Sequence, residues 1–147
     1  MSDRTRAAYK AFSLALALVF ALVGAIFLIL PGETLGFFNA LSRRLGMAEG
    51  PAERSFFGVL AVAYMYIVTA LAWLMYKEPR EKIYPLLLGQ AKIASSLLSF
   101  LLFAVQASWL VYLVNGLVDG AIGLIVLAMY LRLRARASND GGGGGRS

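Results

Sequence analysis

Hydrophobic positions in this chain do not alternate with polar ones; they run together in four blocks. Residues 11–30, "AFSLALALVFALVGAIFLIL", form twenty residues without a charge, and residues 55–76, "SFFGVLAVAYMYIVTALAWLMY", form twenty-two. Residues 83–105 and 108–131 are similarly apolar, but each carries one charged side chain, Lys92 in the first and Asp119 in the second. A helix rises 1.5 Å per residue, so about 20 apolar residues cross the hydrocarbon layer of a membrane. The pattern therefore predicts four spans, at about 9–30, 55–76, 83–105 and 108–133. It predicts an all-α, integral membrane four-helix bundle that occupies residues 1–137.

The segments between the blocks are short, except for residues 31–54. Pro31-Gly32 stops the first helix. In "ETLGFFNALSRRLG", Leu35, Phe38, Leu41 and Leu45 recur at roughly helical spacing, with Asn39, Ser42 and Arg43 between them. That is the pattern of a short amphipathic helix on the outer surface, in contact with lipid, the end of the bundle or a partner. Pro51 suits the first turn of the second span. The end, "ASNDGGGGGRS", contains five consecutive glycines, so residues 138–147 read as a flexible tail that builds no core.

Composition agrees with the pattern. Of 147 residues, 60% are hydrophobic, above the roughly 45–50% of soluble domains, and mean hydropathy is +0.73. Cysteine and histidine are both absent. Thiol chemistry, imidazole acid–base catalysis and the usual zinc and haem ligands are absent with them. No cofactor or metal is expected, and no catalytic residue is assigned. The first block follows Arg4, Arg6 and Lys10, as a signal peptide would. It is too long for one and lacks a small-residue cleavage pattern, so it reads as a retained helix.

Charge sets the expected orientation. Arg4, Arg6 and Lys10, then Lys77, Arg80 and Lys82, then Arg132, Arg134, Arg136 and Arg146 fall on one side of the predicted spans. Only Arg43, Arg44 and Arg54 fall on the other. Cytoplasmic flanks carry the excess of Lys and Arg. Ten against three places both termini in the cytoplasm, with residues 31–54 and 106–108 outside. Tyr9, Trp73, Tyr76, Tyr84 and Tyr130 then lie near the inner interface, and Phe37, Phe56, Trp109 and Tyr112 near the outer one, where aromatic side chains favour the headgroup level. The net charge of +6 reads as topology and attraction to anionic headgroups, not as a nucleic-acid surface.

The candidate site is the set of polar residues inside the spans. On the third predicted helix Lys92, Ser96 and Ser99 lie close to one stripe, with Ser95 beside it. On the fourth, Asn115 and Asp119 are one turn apart, and Gly116, Gly120 and Gly123 lie nearby. On the second, Tyr66, Thr69 and Trp73 share a face. Gly116 and Gly120 form G-x-x-x-G, a spacing that lets helix backbones approach closely. Each central charge costs on the order of 2.5–3.5 kcal/mol on an insertion scale. Three responses are open: Lys92 pairs with Asp119, Asp119 takes up a proton, or Lys92 snorkels to the surface. A hairpin centred on Ala107 puts Lys92 fifteen residues and Asp119 twelve residues from the link, about 4–5 Å apart along the axis. A lysine side chain covers that distance, although the backward tilt of the Cβ bonds widens it. A pair there has two meanings, a lock on hairpin register or a small polar binding site.

The layout resembles small bacterial four-helix inner-membrane proteins of the DoxX-like type, with four spans, both ends cytoplasmic and a longer outer loop after the first helix. The resemblance covers residues 9–133 at the level of topology and carries over no functional residue. It implies the inner membrane as location. Two function classes follow from the residues. One is an accessory or assembly subunit, a homo-oligomer or part of a larger membrane complex, acting through helix packing and the amphipathic loop. The other is an oligomeric transporter or binding protein for a small molecule, lipid or quinone, using Lys92, Asp119, Asn115, Tyr66, Ser96 and Ser99. No nucleophile or metal motif supports an enzyme.

Overall fold

A computed structural model describes residues 3–50, 56–105 and 109–141. They form five helices: α1 (Asp3–Ile29), α2 (Pro31–Arg44), α3 (Phe56–Lys77), α4 (Ile83–Val105) and α5 (Leu110–Gly141). Four of them, all but α2, are long and apolar enough to cross a membrane. Two ends differ from the sequence pattern. α1 starts six residues before the predicted boundary, because "DRTRAA" continues the helix although it is too polar to register in a hydropathy window. α5 runs on to Gly141, so residues 138–141, expected in the tail, are helical. Residues 138–141 are Ser, Asn, Asp and Gly, poor helix formers by themselves, and they extend a helix set by the Leu, Ala and Arg residues at 131–137. The predicted 106–108 link, Pro51 and residues 142–147 lie outside the described residues.

The spans pack as two antiparallel pairs, α1 with α3 and α4 with α5, joined mainly where α3 meets α4. Tyr9, Leu16, Ala17 and Phe20 of α1, Val68, Ala72 and Met75 of α3, Leu88 of α4 and Val126 of α5 form one buried cluster. All four spans thus share a core.

Pro31 ends α1 and also begins α2. Its ring cannot continue the preceding helix, but its fixed φ suits the first turn of a new one. Leu30 between them is non-helical at φ −124° and ψ 49°. α2 packs against α1 and α5. Leu35, Phe38 and Leu41 are half-buried while Phe37 is exposed. α2 closes in a Schellman turn. Gly46 takes φ 66°, Met47 N–H donates to Ser42 O at 2.9 Å and Gly46 N–H to Arg43 O at 3.2 Å. Asn39 then ties the following link back. Its Nδ2 donates to Gly50 O at 2.8 Å and its Oδ1 accepts from Gly50 N–H at 2.9 Å. Arg43 and Glu49 pair beside it at 2.9 Å.

The α4–α5 seam carries a glycine at four of its crossings, which together form a ladder. A Cβ at Gly89 would meet Leu127 at 2.7 Å, at Gly123 the side chain of Ile93 at 2.9 Å, at Gly120 Ser96 Oγ at 2.8 Å, and at Gly116 the ring of Phe100 at 3.0 Å. One partner is always reduced to backbone, so the helices approach closely and interdigitate. Gly123→Leu should lower the unfolding temperature in detergent by the equivalent of about 1–3 kcal/mol or more, because its side chain meets Ile93 backbone N within 3.1 Å. Gly36→Ala, with open space around the added methyl, should be neutral or mildly stabilising. Equal effects of the two would contradict the ladder.

Candidate functional site

The two charges predicted within the spans meet. Lys92 Nζ lies 2.7 Å from Asp119 Oδ1, with the two side chains only 2% and 6% exposed. The glycine ladder sets the register that brings them together. Its rungs centre the hairpin on position 108, so Asp119 lies five residues nearer the link than Lys92, about 7–8 Å along the axis. Lys92 therefore extends away from its own nearer helix end. It does not snorkel.

The ammonium is enclosed by the other helix pair. It sits 4.5 Å from the centroid of the Phe20 ring on α1 and 5.1 Å from that of the Tyr64 ring on α3. Ring faces carry partial negative charge and replace some of the hydration lost on burial. Tyr64 is itself fixed, donating its hydroxyl to Ala91 O at 3.1 Å. The site is therefore a cation held between one carboxylate and two rings, with one contribution from each span. Asp119 is less well served. Its Oδ2 is buried and has no hydrogen-bond donor among the described residues.

The other predicted polar residues divide into two groups. Ser96 Oγ donates to Gly116 O at 2.7 Å, which places it on the seam beside the ion pair. Asn115 does not join Asp119. It turns outward and its Nδ2 donates to Ser99 Oγ at 2.8 Å and to Ser95 Oγ at 3.3 Å. These bonds clamp α4 to α5 one turn nearer the link.

Tyr66 is corrected. It is 75% exposed on the outer face of α3 and takes no part in the cluster. Val68, Ala72 and Met75 define the inward face of α3, and Tyr66 lies about 200° from Val68 around the helix. Tyr64 and Phe20 hold the inward positions instead. Thr69 satisfies its hydroxyl locally on Met65 O at 2.7 Å, and Trp73 faces out. The signal for Tyr64 was present only as helical phase, and α3 is apolar almost all round, which leaves that phase unreadable.

Chemically, the arrangement offers one carboxylate oxygen, Asp119 Oδ2, that is unsatisfied among the described residues. No group of three His, Cys, Asp or Glu residues able to hold a metal occurs among the described residues. Fold and site together define a helical membrane bundle of four candidate spans closed around an internal ion pair. Comparison with protein-family models, curated proteins and solved structures finds no match. The likeness to DoxX-like proteins accordingly rests on layout alone.

Removing either partner leaves a buried charge uncompensated, which costs about 3–5 kcal/mol. Lys92→Leu and Asp119→Leu should each destabilise the bundle on that scale. The double variant should recover much of the loss, because both desolvation penalties disappear. Strictly additive losses in chemical or thermal unfolding would show that the two side chains do not communicate.

Proposed function

We propose that this chain is an accessory or assembly subunit of the membrane, which holds another membrane component against the outer face of α3. The observation that carries the reading is the position of Tyr66. It is 75% exposed, about 12 Å from the Gly58 end of its span and about 16 Å from the Lys77 end. A tyrosine side chain cannot reach the headgroups from there. Its hydroxyl then lies in hydrocarbon, where an unsatisfied polar group costs several kcal/mol. A partner helix with an acceptor removes that cost. Ala63 and Ala70 flank Tyr66 on the same stripe, and small residues of this kind let a second backbone come close. The polar groups on the inner faces, by contrast, are mostly consumed within the chain.

The charge asymmetry supports an inner-membrane protein with both termini in the cytoplasm and α2 outside. In intact cells, an impermeant thiol reagent should label Arg44→Cys, at an exposed position of α2, and should spare Glu81→Cys. The opposite pattern would reverse the orientation.

Purification in mild detergent, followed by mass spectrometry of bound proteins, tests the main reading. A stoichiometric protein partner or second copy is expected, and Ala63→Leu and Tyr66→Leu should release it. Leu101→Ala, an exposed position on α4, should not. Retention of the partner by all three variants would remove α3 from the interface. The unpartnered Asp119 Oδ2 favours a second reading, a binding or transport site for a small hydrogen-bond donor. In that case a small molecule, and no protein, co-purifies and is lost in Asp119→Asn.

A further inference from the structure

At the end of the bundle where α1 begins and α3 stops, two lysines share one aromatic platform. Lys10 Nζ lies 4.7 Å from the centroid of the Tyr76 ring. Tyr76 packs against Trp73 with centroids 5.4 Å apart. Lys77 Nζ lies 5.1 Å from the Trp73 centroid. The result is a continuous row of cation, ring, ring and cation that bridges two helices. Neither ammonium has a carboxylate within ion-pair distance among the described residues. Glu78, the nearest acid in sequence, instead accepts from the Tyr84 hydroxyl at 3.5 Å. Arg6 adds a further exposed cation one turn before Lys10 on the same face of α1.

We propose that this row is a discrete binding site for the phosphate headgroup of an anionic phospholipid. Three features converge on that occupant. Each ring takes one side of an ammonium and fixes its position, while the remaining N–H donors stay free for phosphate oxygens. The positive charge is complementary to phosphate, and neither ammonium is ion-paired among the described residues. The row also lies at the termini of two spans, where headgroups sit and where Trp and Tyr favour the boundary between apolar and polar layers. This site is separate from the Tyr66 interface in its chemistry and does not depend on that reading.

Native mass spectrometry of the full chain, purified in detergent with equal amounts of phosphatidylglycerol and phosphatidylcholine, tests the site. The wild type should retain phosphatidylglycerol preferentially. A basic residue near an anionic surface contributes about a fivefold effect in affinity, so Lys10→Gln with Lys77→Gln should reduce that retention at least tenfold. Arg80→Gln with Lys82→Gln removes the same charge from the same end and should reduce it clearly less, since the two cations placed over the rings of the row are Lys10 and Lys77. Trp73→Leu with Tyr76→Leu, which keeps both lysines, should also weaken retention. Unfolding temperature confirms that the variants remain folded, and unfolded variants are replaced by the single Lys77→Gln, at an exposed helix end, with about a fivefold loss expected. Equal retention of the two lipids, or equal losses in the two charge pairs, would overturn the proposal. Displacement of the lipid by millimolar inorganic phosphate, with phosphate bound in its place, would assign the site to free phosphate and overturn the lipid reading.

Discussion

An ammonium taken out of water must be given a counter-charge and as much replacement solvation as the fold can supply. Lys92 finds the counter-charge on α5 and the solvation on α1 and α3, through the faces of Phe20 and Tyr64. That requirement links the two helix pairs. Apolar packing between spans is weakly directional, because lipid tails solvate leucine as well as another leucine does. A buried charge is not permissive in this way, and a shift of one turn along α4 would carry Lys92 away from Asp119. A buried pair of this kind can fix one arrangement without adding net stability.

The glycine ladder is the complementary constraint. Gly89, Gly116, Gly120 and Gly123 set how near α4 and α5 approach and in which register. Ser96 and Asn115 then satisfy polar groups across the same seam. The offset of five residues between Lys92 and Asp119 follows from that register, and the length of the lysine side chain bridges it.

Much of this was legible in the sequence. Four apolar runs of about 20 residues have few alternatives to spanning helices, and G-x-x-x-G on the last of them marks a close seam. Hairpin arithmetic brought Lys92 within reach of Asp119. Facial phase was not legible. α3 is apolar on nearly every side, so nothing in its composition distinguishes the inward Tyr64 from the outward Tyr66. Asn115 stands one turn from Asp119 yet bonds to Ser99, because the helix turns it past the core to the outer edge of the seam. The polar start of α1 and the helical end at residues 138–141 fell outside windows tuned to apolar runs. The reciprocal bonds of Asn39 with Gly50 join segments eleven residues apart and leave no local signature.

The functional reading follows from what the core consumes and what it leaves outside. The inner polar groups close mostly on one another, whereas Tyr66 and the lysine–aromatic row face outward. The account stands on the contact between Lys92 and Asp119, and solid-state NMR in bilayers measures it directly. With lysine nitrogen and aspartate carboxyl carbon labelled, the account requires a strong dipolar coupling between Lys92 Nζ and Asp119 Cγ, as expected for a nitrogen 2.7 Å from Oδ1. A folded protein with no such coupling would contradict it.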